Sequence, residues 1–300
     1  MELADAKFDL SYDDGEDFDI TLDNGSVLKG CTWKPSGEPT FIYVFVHGLG
    51  VCVTFKKDFF PFILERGGVV FGCDHYGHGR SSGSPVSGTI DLMAEETVKV
   101  IQLAHSRYPN LPLIIHGHSM GGLCTIYTIL TRYNEIKDIV KCAIAEAPWI
   151  SPCPQRQLGT IERYGFKALN WAFPTMQIST GANPYSADMD QRFVTMAKAS
   201  PLIYETITPQ LYFSVEEKQA FIHEHPELWP AELPLFFVQG EADSMVDAKT
   251  SDKWVQKVLA RDGMNVKYKL YPKGEHVMLK TPHRPEVARD LLEFIDEHRK

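Results

Sequence analysis

The chain has 300 residues, 44% of them apolar and 23% charged, ordinary values that exclude disordered, collagenous and low-complexity classes. Acidic residues outnumber basic ones 39 to 30, a net charge of −9. No lysine or arginine run is long enough to track phosphates, so neither a nucleic-acid partner nor electrostatic adhesion to anionic lipid is expected. The six cysteines, Cys31, Cys52, Cys73, Cys124, Cys142 and Cys153, contain no CxxC pair and are too sparse for a disulfide framework. Met1 to Leu10 lacks a basic n-region, and no apolar run reaches membrane-spanning length. These features predict a reduced, intracellular, soluble protein.

The first predicted element is a hairpin. Phe18 to Leu22 alternates apolar and polar residues, Asp23-Asn24-Gly25 is a turn signal, and Ser26 to Trp33 is the partner strand. Phe41 to Val46 is continuously apolar, as expected of a strand buried on both faces. Similar runs follow at Gly68–Cys73, Leu111–His116, Ile139–Ala145 and Leu235–Val238, with a shorter candidate at Lys267–Leu270. Between them lie helical patterns. One spans Asp91–Tyr108, with Asp91 as the candidate N-cap, and another spans Met120–Tyr133. A third carries the stripe Ser251, Trp254, Val255, Val258 and Leu259 and is expected to stop at Gly263. The last contains Val287, Leu291 and Ile295. Alternating strands and helices predict an α/β fold with a mainly parallel sheet. Residues 148–233 break the rhythm, with helical patterns, many aromatics and no buried strand, and are predicted to form a helical cap. Residues 1–147 and 234–300 would form the core on either side.

The strongest local feature is Gly117-His118-Ser119-Met120-Gly121, directly after a predicted buried strand and before a helix. Such a sharp turn projects the serine hydroxyl out of the sheet, beside a helix N-terminus that favours negative charge. A serine nucleophile needs a base, and the base needs an acid to orient it. Asp243 lies just past one predicted strand and His276 just past the last, at the carboxyl ends where open α/β sheets place their sites. Glu241 and Asp247 are rivals to Asp243, and His283 to His276; the spacing favours Asp243 and His276. Donors for an oxyanion are expected from the backbone N–H of Met120 and, in the glycine-rich loop His47-Gly48-Leu49-Gly50, from that of Leu49.

Taken with Asp74-His-Tyr-Gly-His-Gly-Arg-Ser81, these motifs occur in an order that resembles the α/β-hydrolase superfamily, and within it monoacylglycerol lipases and lysophospholipase-type serine hydrolases. The resemblance extends through the insertion, at Phe166–Pro174 and Ala199–Leu202. It implies an eight-stranded, mainly parallel sheet flanked by helices, with a cap after the sixth strand. It also implies a triad of Ser119, Asp243 and His276, with Leu49 and Met120 as oxyanion donors. His118 and Gly48 would contact substrate, His118 near its alcohol portion, and the loop from Asp74 to Ser81 would be structural. Family members often follow the His-Gly-x-Gly loop with an acidic residue and a histidine; here Val51, Cys52 and Val53 stand there.

The implied reaction is hydrolysis of fatty-acyl carboxylic esters, foremost monoacylglycerols, through an acyl-enzyme and without a cofactor. Lysophospholipids, other esters, aminoacyl-prolyl amides and a non-catalytic receptor role are the alternatives. Any membrane contact would come through apolar cap surface. The pairs His116/His118, His75/His78 and His223/His225 lack a third ligand at metal-site spacing, so no metal is expected. Cys52 is expected to be a packing residue rather than a reactive thiol.

Overall fold

The computed structural model describes residues 2–152, 157–181 and 185–299, so Cys153 lies outside the described residues. Its centre is an eight-stranded sheet in the order β1-β2-β4-β3-β5-β6-β9-β10. Strands β1 (Glu16–Thr21) and β2 (Val27–Trp33) form the predicted hairpin. Gly25 takes φ +82° at its turn, and Asn24 accepts a hydrogen bond from the Ser26 amide at 2.9 Å. Strand β2 runs antiparallel to β4 (Gly68–Cys73), and from there every neighbouring pair is parallel. Those strands are β3 (Phe41–Val46), β5 (Leu113–His118), β6 (Val140–Glu146), β9 (Leu235–Gly240) and β10 (Val266–Tyr271). All residues of β3, β4, β5 and β9 are buried, which accounts for their apolar runs, with His116, His118 and Gln239 as buried polar exceptions.

Helices cover both faces. On one side α2 (Ile90–Arg107), α3 (Met120–Arg132) and α7 (Ala248–Leu259) pack Ile101, Ile126 and Trp254 onto the sheet. On the other, α1 (Phe60–Glu65) and α8 (Arg284–His298) contribute Phe60, Phe62, Leu291 and Ile295. Three details differ from the sequence reading. Strand β5 runs through His118, so its last residue abuts the serine. The cap of α2 is Thr89, whose hydroxyl accepts from the Leu92 amide at 3.2 Å, while Asp91 accepts from the Tyr127 hydroxyl at 2.7 Å. Helix α7 ends at Leu259, four residues before Gly263.

Between β6 and β9 lie α4 (Thr160–Ala172), α5 (Gln191–Ala199) and α6 (Pro209–Glu224). They are accompanied by a two-residue antiparallel pair, β7 (Ile178–Ser179) and β8 (Thr206–Ile207), too short for any periodicity to reveal. Helix α6 is tied to the core: Thr208 donates to the Val86 carbonyl at 3.0 Å, and Ser214 accepts from the Ile90 amide at 2.8 Å. Helix α4 has no buried side chain.

Candidate active site

Ser119 sits between β5 and α3 with φ +57° and ψ −120°, a conformation that non-glycine residues adopt only when their surroundings enforce it. Its amide donates to the Glu146 carbonyl at 3.0 Å, and its carbonyl accepts from the amides of Trp149 (2.8 Å) and Leu123 (3.1 Å). The flanking glycines are sterically required. A Cβ at Gly117 would stand 2.2 Å from the Gly121 carbonyl oxygen, and one at Gly121 would stand 2.1 Å from that of Val46.

The other two predicted residues converge on this serine. His276 Nε2 is 2.9 Å from Ser119 Oγ, and His276 Nδ1 is 2.8 Å from Asp243 Oδ2. Backbone contacts between two loops set this spacing: the Ala242 amide donates to the Gly274 carbonyl at 2.8 Å, and a Cβ on Gly240 would meet that same oxygen at 2.3 Å. Asp243 accepts further hydrogen bonds from the amides of Met245 (2.8 Å) and Val246 (2.9 Å) and from Gln239 Nε2 (2.9 Å). Burial alone would push its carboxyl up, but His276 opposite and these amides hold it below the ordinary value. The rivals are elsewhere: Asp247 caps α7, Glu241 is exposed, and His283 faces the Pro272 carbonyl.

The loop 47–50 presses against Ser119, with the position of a Cβ on Gly48 only 3.2 Å from Ser119 Cβ. His47 braces this loop, its Nδ1–H donating to the Gly48 carbonyl at 2.8 Å and its Nε2 accepting from the His75 amide at 2.9 Å. Asp74 secures the next residues by accepting from the Val53 amide at 2.9 Å, as well as from the Arg80 amide and the Tyr12 hydroxyl. Gly48 and Leu49 line the cavity above Ser119, and Met120 begins α3 with its side chain buried. His118 also lines the cavity; its Nε2–H donates to the His276 carbonyl at 3.2 Å, and its Nδ1 is buried with no partner.

Cys52 is buried with Sγ 3.2 Å from Thr54 Oγ1, and burial beside Asp74 pushes its thiol up to about 11, so it is a packing residue. The paired histidines each have another partner. His75 meets Glu96, His223 meets the Ile150 carbonyl, and His225 meets Glu227.

His116 belongs to a feature with no local sequence signal. Directly beneath the turn at Ser119, Lys56 Nζ donates to both oxygens of Glu146 at 2.7 Å. His116 Nε2–H donates to Glu146 at 3.0 Å, and the Tyr43 hydroxyl donates to His116 Nδ1. All four side chains are buried. Burial would raise the Glu146 carboxyl, but the Lys56 charge and the His116 hydrogen bond hold it well below its ordinary value.

The cavity over Ser119 has a volume of about 540 Å³ and is lined mainly by apolar side chains from loops at the carboxyl ends of the strands and from the segment between β6 and β9. A hydroxyl paired with an imidazole, itself held by a carboxylate, can attack an electrophilic carbonyl and shuttle the released proton.

A family model described as serine aminopeptidase, S33, matches residues 37–283. The chain belongs to this family. Among relatives of this S33 member, rat monoglyceride lipase is 25% identical over 275 residues, covering 91% of this chain and 86% of that protein. A monoacylglycerol lipase of Mycolicibacterium smegmatis is 24% identical, with 89% and 91% covered. The structure of a soluble variant of Saccharomyces cerevisiae monoglyceride lipase, in complex with a substrate analogue, superposes with a TM-score of 0.83 at 18% identity, covering 98% of each chain. The Paleococcus ferrophilus monoacylglycerol lipase superposes with a TM-score of 0.77 at 21% identity, covering 90% of this chain and 99% of that one. The S33 member described here therefore has the α/β-hydrolase fold, as its motifs imply.

Proposed function

We propose that the protein is a carboxylic ester hydrolase that cleaves fatty-acyl esters, monoacylglycerols among them, through an acyl-enzyme on Ser119. The observation that carries this reading is the hydrogen-bonded line from Ser119 Oγ through His276 to Asp243, set at the floor of a 540 Å³ apolar cavity. His276 Nε2 takes the hydroxyl proton as Ser119 Oγ bonds to the ester carbonyl carbon. The carbonyl oxygen becomes an oxyanion facing the amides of Leu49 and Met120, each donor contributing about 3 kcal/mol to transition-state stabilisation. The carbon–oxygen bond to the alcohol then breaks, and His276 returns the proton to the departing oxygen. Water repeats the cycle on the acyl-serine and releases the fatty acid. Asp243 keeps the Nδ1–H tautomer and balances the imidazolium charge. Trp149, Ile150, Leu158, Phe166, Ile207 and Val215 offer apolar wall for an acyl chain.

The family's description supplies a second reading, cleavage of amides at a free amino terminus. Such a site needs a carboxylate to receive the amine. Glu205 and Glu216 line the cavity, but Glu216 is paired with Arg163. Turnover of a panel of monoacylglycerols, lysophospholipids and aminoacyl-prolyl amides separates the readings. Esters are expected to be fastest and Ser119→Ala to abolish turnover; fastest hydrolysis of the amide, or ester hydrolysis that survives Ser119→Ala, would overturn the proposal.

Lipid contact through α4 is part of this proposal. Ile161 and Trp171 are each 89% exposed, and Tyr164, Phe173 and Met176 extend the apolar surface, while no helix among the described residues is long and apolar enough to cross a membrane.

A further inference from the structure

The two ends of an ester leave Ser119 in different directions, and the base decides which is which. His276 Nε2 must hand its proton to the departing oxygen, so the alcohol lies on the side of the His276 ring. The side chains there are notable for their lack of polarity. The His118 ring is 5.2 Å from the His276 ring, and Phe55 stacks on His118 with ring centres 6.1 Å apart and planes at 22°. Phe193 meets Phe55 edge-on at 5.2 Å. Met189, Val277 and Val51 complete this wall and also line the cavity.

We infer that this wall is a leaving-group subsite for uncharged, apolar alcohols, so that esters of alkyl or aryl alcohols are hydrolysed in preference to glycerol esters of the same acid. The inference rests on the ester-hydrolase reading above and specifies the alcohol side of that site. Glycerol brings two further hydroxyls, each needing a hydrogen-bond partner once water is expelled. Beyond the Tyr185 hydroxyl, the described side chains of this wall offer His118 Nδ1, a buried nitrogen that makes no hydrogen bond within the protein. An unpaired hydroxyl in such a site lowers kcat/KM by roughly tenfold.

Charge points the same way. Lys280 lies outside the cavity lining, with Nζ 4.7 Å from the Phe193 ring centre and 5.7 Å from that of Phe55. It shares Asp58 with Arg284, so this buried group carries one positive charge in excess. Rings that already face a cation are poor partners for a second one. A choline-bearing alcohol is therefore disfavoured as well.

The test holds the acyl group constant, so that every ester forms the same acyl-enzyme and kcat/KM reports on the alcohol alone. Hexyl decanoate, benzyl decanoate, 1-decanoylglycerol and decanoyl lysophosphatidylcholine are compared with the wild-type protein at concentrations below micelle formation. The expected order is hexyl and benzyl esters at least tenfold above the glycerol ester, with the choline lipid slowest. Phe55→Asn is expected to narrow the gap between the hexyl and glycerol esters. Equal or faster turnover of the glycerol or choline ester by the wild type would overturn the inference while leaving the ester-hydrolase reading intact. Turnover of none of the four would overturn that reading itself.

Discussion

The buried pair beneath Ser119 makes a demanding prediction. Lys56→Met removes the ammonium that faces both oxygens of Glu146 at 2.7 Å and keeps a side chain of similar length. At an effective dielectric of about 20, charges this close attract by roughly 6 kcal/mol, part of which offsets their lost hydration. Breaking such a pair from one side leaves a carboxylate that is 0% exposed without its cation, at a typical cost of about 3–5 kcal/mol. For a chain of this length that lowers the melting temperature by roughly 5–8 °C.

The pH dependence adds a sign. Glu146 is held well below its ordinary 4.5, so its contribution to wild-type stability is present above about pH 4.5 and is lost as the pH falls toward the folded-state value. The deficit of Lys56→Met should therefore be large at pH 7 and shrink on acidification, because without the ammonium burial raises the Glu146 carboxyl and the variant takes up its proton first. The double variant Lys56→Met/Glu146→Gln should recover more than half of the loss, because its amide oxygen can still accept from His116 without a charge. Urea titrations of the four proteins at pH 7 and pH 4 measure all of this. A single-variant loss under 1 kcal/mol, or a double-variant loss equal to the sum of the singles, would refute the reasoning.

Three further outcomes are expected. Gly50→Ala places a methyl group 2.1 Å from the Tyr204 carbonyl oxygen at a residue with φ +67°; it should displace the Leu49 amide and lower kcat on esters by about 100-fold, and an unchanged kcat would count against that donor. Burial brings Lys280 down to about 8 from 10.5 despite Asp58, so the folded state releases this proton first and its contribution to stability rises with pH between about 8 and 10.5. The stability difference between wild type and Lys280→Met should change in that direction across the window, and a flat difference would count against it. Replacing Ile161 and Trp171 by serine should reduce sedimentation with neutral phosphatidylcholine vesicles while leaving hydrolysis of a water-soluble nitrophenyl ester unchanged.

Much of this site was legible because its parts are local. Gly117 to Gly121 announces a strained turn in five residues, Asp243 follows a strand whose apolar run marks it as buried, and His276 follows the shorter, half-buried edge strand β10. Parallel pairing then places their loops at one end of the sheet. The parts with no local sequence signal depend on contacts between distant segments. Lys56 and Glu146 are 90 residues apart and each looks like an ordinary surface charge. Phe55 lies in a short 3-10 turn, and only the approach of α5 makes it a wall of the cavity. Asp91 has the chemistry of a cap, but the helix starts one residue earlier with Thr89 capping it, and Asp91 instead accepts from Tyr127 and pairs with Lys218. Pro61, early in α1, is favourable at a helix start, yet six residues are too few to show a period.

The strained serine and the buried ion pair meet in one residue. A backbone like that of Ser119 costs about 1–3 kcal/mol and persists only where its surroundings leave no alternative. Three backbone hydrogen bonds hold it, and the one made by its own amide ends on the carbonyl of Glu146, the last residue of β6. The side chain of Glu146 is in turn fixed by Lys56 and His116, the latter two strand positions before His118 on β5. Strands β5 and β6 are thus joined across the sheet by side chains as well as by their ladder, and Lys56 adds the turn that follows the 47–50 loop. A polar network in this place costs hydration, and an apolar replacement could be at least as stable. What the network supplies is a fixed position for Glu146, whose backbone carbonyl holds the Ser119 amide and whose carboxylate is held by Lys56 and His116.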